Sequence, residues 1–87
     1  MEVTTKSGFS CTIEPEVFDD WELLEAFQAV DEGDTRQILK IVPALLGDKQ
    51  TEALKAHIRN EHGRVKISEM ISSIHEIMDE AKGGKNS

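Results

Sequence analysis

Three histidines and a single cysteine are the first side chains to weigh, because imidazole and thiolate hold transition metals. His57 and His62 stand five residues apart, which does not set both on one helical face. His75 and Cys11 lie well away from them in the chain. A zinc site takes three or four well-spaced ligands, so this set is poor and no metal is expected. Asp31, Glu32 and Asp34 crowd into "DEGDTRQ". A calcium loop alternates oxygen ligands and closes on a distal glutamate; here the acids read as a helix exit followed by a cap. Asp19 and Asp20 are of the type that shares acid–base work, but neighbours at a helix start point apart, and Asp19 has a capping role. No glycine-rich phosphate loop is present. Ser68, Ser72 and Ser73 have no base partner by spacing. Cys11 falls in a predicted strand, where a half-buried thiol is inert. Neither a catalytic residue nor a cofactor is expected.

Two apolar features are open to a binding role. Trp21 lies in the first turn of a predicted helix, to one side of its apolar stripe. Closure of the core over an N-terminal hairpin is the favoured reading, and an exposed anchor for a partner is the other. The last predicted helix carries Ile and Met along one side, chiefly as core. One edge of that stripe could form a groove for a partner helix, where methionine's flexibility helps.

These residues sit in a chain of 87 residues, which is one domain with a thin core. Apolar residues make up 38% and charged residues 31%, the balance of a folded soluble domain rather than a disordered segment. The net charge of −7 repels a phosphate backbone, and the loose basic group Lys55, Arg59, Arg64 and Lys66 is no basic patch. Nucleic acid is not an expected partner, and neither is an anionic membrane. One cysteine allows no internal disulfide, which points to a reducing compartment. "MEVTTKSGFS" is not a signal peptide, and no apolar run approaches the ~20 residues of a membrane helix. A cytoplasmic location follows as an expectation.

The elements follow from periodicity. "EVTTKSGFSCTI" predicts a β-hairpin turning at Ser7–Gly8, with Phe9, Cys11 and Ile13 on one face. A lone hairpin is marginal in water, so that face must lie on helices. "FDDWELLEAFQAVDEG" predicts a helix capped by Asp19 with Glu22 completing a capping box. Phe18 and Leu23 would staple its start, Leu23, Leu24, Phe27 and Val30 would be buried, and Gly33 would end it. A second capping box, Asp34 with Gln37, opens a helix whose stripe is Ile38, Ile41, Val42, Leu45 and Leu46. Pro43 predicts a kink or break there, with Gly47 as the C-terminal cap. Asp48 starts a third helix through "DKQTEALKAHIRNEHG", with a thin stripe of Ala53, Leu54, His57 and Ile58. The last helix buries Ile67, Met70, Ile71, Ile74, Ile77, Met78 and Ala81 and stops at Gly83–Gly84. The predicted fold class is mainly α (α+β): a short N-terminal hairpin on a bundle of about four helices. Residues 1–82 form the domain and 83–87 a flexible polar tail.

The order of these elements resembles the small tail assembly chaperones of long-tailed bacteriophages and prophages. "TTKSGFSCTIEPEVFDDWELLE", "LLGDKQTEALKAHI" and "GRVKISEMISSIHEIM" carry the likeness, which runs from about Thr4 to Ala81. Its most specific part is Leu45–Leu46–Gly47, the acidic cap, Gln50 and Leu54. Pro43 departs from the expected helix. The resemblance implies a non-enzymatic adaptor in the cytoplasm of the bacterial host. Such an adaptor binds the tape-measure protein, helps bring in tail-tube subunits and is absent from the finished virion; self-association is a further expectation. It also implies that Leu46, Leu54, Ile71, Ile74 and Met78 contribute to the client surface. In this family a ribosomal frameshift often makes a longer product, and Gly83–Gly84–Lys85–Asn86 can be encoded by slippery heptamers. The competing reading is a small acidic regulator of a mobile element that inhibits a nuclease or other DNA-binding protein. That role wants acids along one face, whereas here they cluster at predicted helix ends.

Overall fold

The computed structural model describes residues 1–82. The tail expected over 83–87 lies outside the described residues. Strands β1 (Glu2–Thr4) and β2 (Ser10–Thr12) pair antiparallel with Val3 opposite Cys11. The turn between them uses Gly8 at φ 95°, a backbone that suits glycine. Phe9, Cys11 and Ile13 are buried, as their alternation predicted, and Val3 and Thr5 are buried with them. That face packs on the helices, β1 against the last helix and β2 against the long middle one.

Pro15 opens a 3-10 turn, Pro15–Asp19, that absorbs the first aspartate. The cap of helix α1 (Trp21–Asp31) is therefore Asp20, whose carboxylate accepts the Leu23 N–H at 3.2 Å, and not the predicted Asp19. The predicted staple shifts out of register with it. The buried face of α1 becomes Leu23, Ala26 and Val30, with Phe27 half-buried. Leu24 is turned outward, against expectation, because Ala26 takes the core position between Leu23 and Val30.

A short 3-10 turn, Thr35–Gln37, leads into helix α2 (Ile38–Ile58). The Asp34–Gln37 capping box is replaced by a side-chain bond, Gln37 Nε2 to Asp34 Oδ2 at 3.2 Å. The Gln37 amide and the Arg36 guanidinium together hold the Asp34 carboxyl below its ordinary range. The small stabilisation this brings is present above that range and is lost as acid protonates the group. Ile38, Ile41, Val42, Leu45 and Leu46 are all buried, as their spacing predicted.

The expected second and third helices are one element. Pro43 lies inside it without disturbing the backbone dihedrals, and the only non-helical residue is Gly47, at φ 78° and ψ 164°. Among the described residues there are thus three α-helices rather than about four. The carbonyls at the break are met by side chains: Gln50 Nε2 donates to Leu46 O at 2.8 Å, and Thr51 Oγ1 to Gly47 O at 2.7 Å. Gln50 also clamps the outer edge of β2. It accepts the Thr12 N–H at 2.7 Å and donates to the Thr12 carbonyl at 2.8 Å. Gln50→Ala should lower stability by about 1–2 kcal/mol, and amide exchange at Thr12 should accelerate. Unchanged protection there would show that water replaces the clamp without loss.

α2 ends at Ile58, short of the predicted Gly63, because Asn60 builds a turn of its own. Its Oδ1 accepts the His62 N–H at 2.9 Å and the Arg64 N–H at 3.0 Å. In the second half of α2 only Leu54 is buried, while Ala53 and His57 are exposed and Ile58 is half-buried. Helix α3 (Ile67–Ala81) buries Met70, Ile74 and Ile77. Ile71, Met78 and Ala81 are half-buried against the core, and Ile67, predicted as core, stands exposed. The Lys6 backbone N–H donates to Glu76 Oε2, tying the hairpin to α3.

Candidate functional site

The inward stripe of α2 leaves Leu39 and Pro43, four residues apart, on the flank facing α3. Across from them the chain enters α3 at Ile67, with Met70 one turn deeper. Between these flanks lies an open cleft of about 330 Å³. Ile38, Val42 and Met70 form its buried floor, and Leu39, Pro43 and Ile67 its rim. Thr51, Lys55 and Val65 complete the lining. Leu39 is 77% exposed and Ile67 61%. Two large aliphatic side chains held in water beside an apolar floor are the arrangement that a partner's apolar ridge can cover. Although the chain holds 17 Asp and Glu, none lines this cleft, and its one ionisable group is Lys55. The Lys55 ammonium lies 3.1 Å from Glu52.

A second exposed apolar feature sits on α1. Trp21 is 70% exposed and Leu24 62%, and their spacing of three places them side by side. The favoured expectation, that Trp21 closes the core over the hairpin, is corrected: α1 turns it outward, and Phe18 and Phe27 pack against the core instead.

Of the residues that the resemblance implied, Leu46, Leu54 and Ile74 lie inside the core, with Leu54 and Ile74 fully enclosed. Ile71 and Met78 are half-buried on α3. The five do not line the α2–α3 cleft, whose rim of Leu39, Pro43 and Ile67 sequence reasoning did not pick out. Leu39 falls one position off the predicted stripe, and an exposed leucine at that register was the available signal.

Several of the residues weighed for chemistry have local partners. His57 Nε2 lies 3.1 Å from Ser7 Oγ, and its ring is tilted against Phe9 with centroids 5.5 Å apart. His62 lies beside Glu61, and His75 is exposed on α3. Glu32 accepts from Gln28 Nε2 at 2.8 Å. The Cys11 thiol is buried, and burial, aided by the Glu2 charge, pushes its pKa up, so it stays protonated at neutral pH. Among the described residues no three His, Cys, Asp or Glu gather as metal ligands, and no helix is long and apolar enough to cross a membrane. Comparison with protein-family models, curated proteins and solved structures gave no match.

Proposed function

We propose that this chain is a non-enzymatic tail assembly chaperone of a long-tailed phage or prophage, acting in the cytoplasm of the bacterial host. It binds an apolar helical segment of the tape-measure protein and helps recruit tail-tube subunits. The observation that carries the reading is the α2–α3 cleft: an apolar floor with Leu39 and Ile67 exposed at its rim. A client helix laying residues at i, i+3 and i+4 into such a groove hides its own apolar face from water. The element order described above agrees with that use, and the acid-rich remainder of the surface favours solubility.

The test is capture of tagged protein from host cells during prophage induction, read by mass spectrometry. Recovery of a very large helix-rich phage protein supports the reading. Leu39→Glu and Ile67→Glu should each weaken its capture ~10-fold or more, while melting stays within about 0.5 kcal/mol of the parent because both sites are exposed. Recovery of only a nuclease or another DNA-binding protein overturns the reading and favours the acidic inhibitor.

A further inference from the structure

Trp21 and Leu24 form an exposed apolar pair at the start of α1, and no residue of α1 lines the α2–α3 cleft. Helical spacing continues their face into Glu25, Gln28 and Glu32, all exposed, with Asp31 beside it two turns beyond Leu24. The charge of this part of the chain has one sign. Residues 7–35 contain nine Asp and Glu and no Lys, Arg or His. Little from elsewhere offsets it. Lys40 of α2 borders Glu22 and Glu25 across a shallow depression, and among the described residues it makes no ion pair with either. Arg36 is paired with Asp34, and the Gln28 amide that Glu32 accepts from is neutral.

These charges discriminate among occupants. An anionic lipid surface and a phosphate backbone are both repelled. A second copy turned face to face would set carboxylates against carboxylates. We propose that the outward face of α1 docks a cationic amphipathic helix of another protein. An apolar side chain of that helix packs on Leu24, and a lysine or arginine lies over the Trp21 indole. The ring face attracts the cation, and Glu25, one turn on, accepts hydrogen bonds from it. The apolar pair supplies the buried area, and the surrounding carboxylates select the sign of the partner. Carboxylates alone would gather cations without orienting them; the Trp21–Leu24 pair makes the face read a helix. The inference uses α1 alone and does not rest on the chaperone reading.

Trp21 is the sole tryptophan, so its emission reports this face and not the cleft. The probes are three synthetic helical peptides without tryptophan. One has a leucine stripe among lysines and arginines, and one has the same stripe among glutamates. The third keeps the basic residues and replaces the leucines with serine. The first should shift the emission of the full chain to the blue, and the other two should bind at least ~10-fold more weakly. Raising salt from about 0.1 M to about 1 M shortens the screening length from about 10 Å to about 3 Å and should weaken the first. Leu24→Ser leaves the net charge unchanged and should still weaken it ~10-fold. Glu25→Lys with Glu32→Lys should reverse the preference between the basic and glutamate peptides. All three positions are exposed, so the fold should persist; Leu24→Ala is the milder substitution if Leu24→Ser melts early. Leu39→Glu with Ile67→Glu should leave the emission shift intact. A shift that this cleft pair abolishes overturns the proposal, as does equal binding of the basic and glutamate peptides. So does an equal shift with phosphatidylserine–phosphatidylcholine vesicles. A blue shift with rising mass in the chain alone would put a second copy on the face and overturn it too. Client capture is read separately, so failure of the chaperone reading leaves this result standing.

Discussion

Leu54→Ala should remove about 3 kcal/mol of folding stability. Leu54 is fully enclosed, and it is the only buried residue of α2 beyond the break at Gly47. Its isobutyl group is the one fully enclosed anchor of the far half of that helix, beside half-buried Ile58, the Gln50 clamp and the His57–Phe9 contact. Deleting it loses the transfer free energy of the side chain and leaves a cavity that its neighbours only partly fill. A domain of this size has a total stability of about 5–15 kcal/mol, so the loss is a large share. Thermal denaturation should show a fall of roughly 10–20 °C. Urea unfolding should show a lower midpoint with the slope preserved, since the surface exposed on unfolding is nearly unchanged. Leu39→Ala is the contrast: at 77% exposure it should move stability by no more than about 0.5 kcal/mol. The pair separates core from contact surface. If Leu54→Ala melted like its parent and lost client capture, Leu54 would be a contact residue and the packing described above would be wrong.

The sequence made the elements legible where a single period governs a segment. Phe9, Cys11 and Ile13 alternate and share the hairpin's inner face, because a strand has no other way to sort them. Ile38, Ile41, Val42, Leu45 and Leu46 repeat at helical spacing and are buried for the same reason. The misreadings arise where two local signals compete. Asp19 and Asp20 both suit a cap, and the turn opened by Pro15 decides between them. That one-residue shift accompanies the outward face of Trp21 and Leu24. Ala26 carries little weight in a hydrophobic pattern, yet its small side chain occupies the core position between Leu23 and Val30. Asn60 ends α2 by capturing two backbone donors, a competition that apolar periodicity does not register. The candidate cleft was harder to see, since its rim joins Leu39 and Pro43 to Ile67 across the length of α2. Neither half looks like a site alone. Packing of α3 beside α2 makes it one, and that packing is set by buried residues elsewhere in both helices.

Gly47→Ala is the second large effect, with an expected loss of about 2–3 kcal/mol that owes nothing to crowding. At φ 78° and ψ 164° the backbone lies in a region essentially reserved for glycine. A Cβ built there meets nothing within 4 Å, so the penalty comes from the residue's own backbone. Gly47→Ser should therefore cost about as much as Gly47→Ala, and a steep dependence on side-chain size would point to packing instead. The strain can be relieved by letting α2 run straight through position 47. Nine residues along a continuous helix rotate by about half a turn, so Leu45 and Leu54 would then face opposite ways. The core keeps both only because the break at Gly47 re-aims the second half. Gln50 would also lose the geometry that lets one amide reach Leu46 and both backbone groups of Thr12. Circular dichroism tests this directly: the substituted chain should hold or gain helical signal while its melting temperature falls. A fall in both together would mean that the second half of α2 unravels, and that its helicity depends on docking rather than on its own sequence.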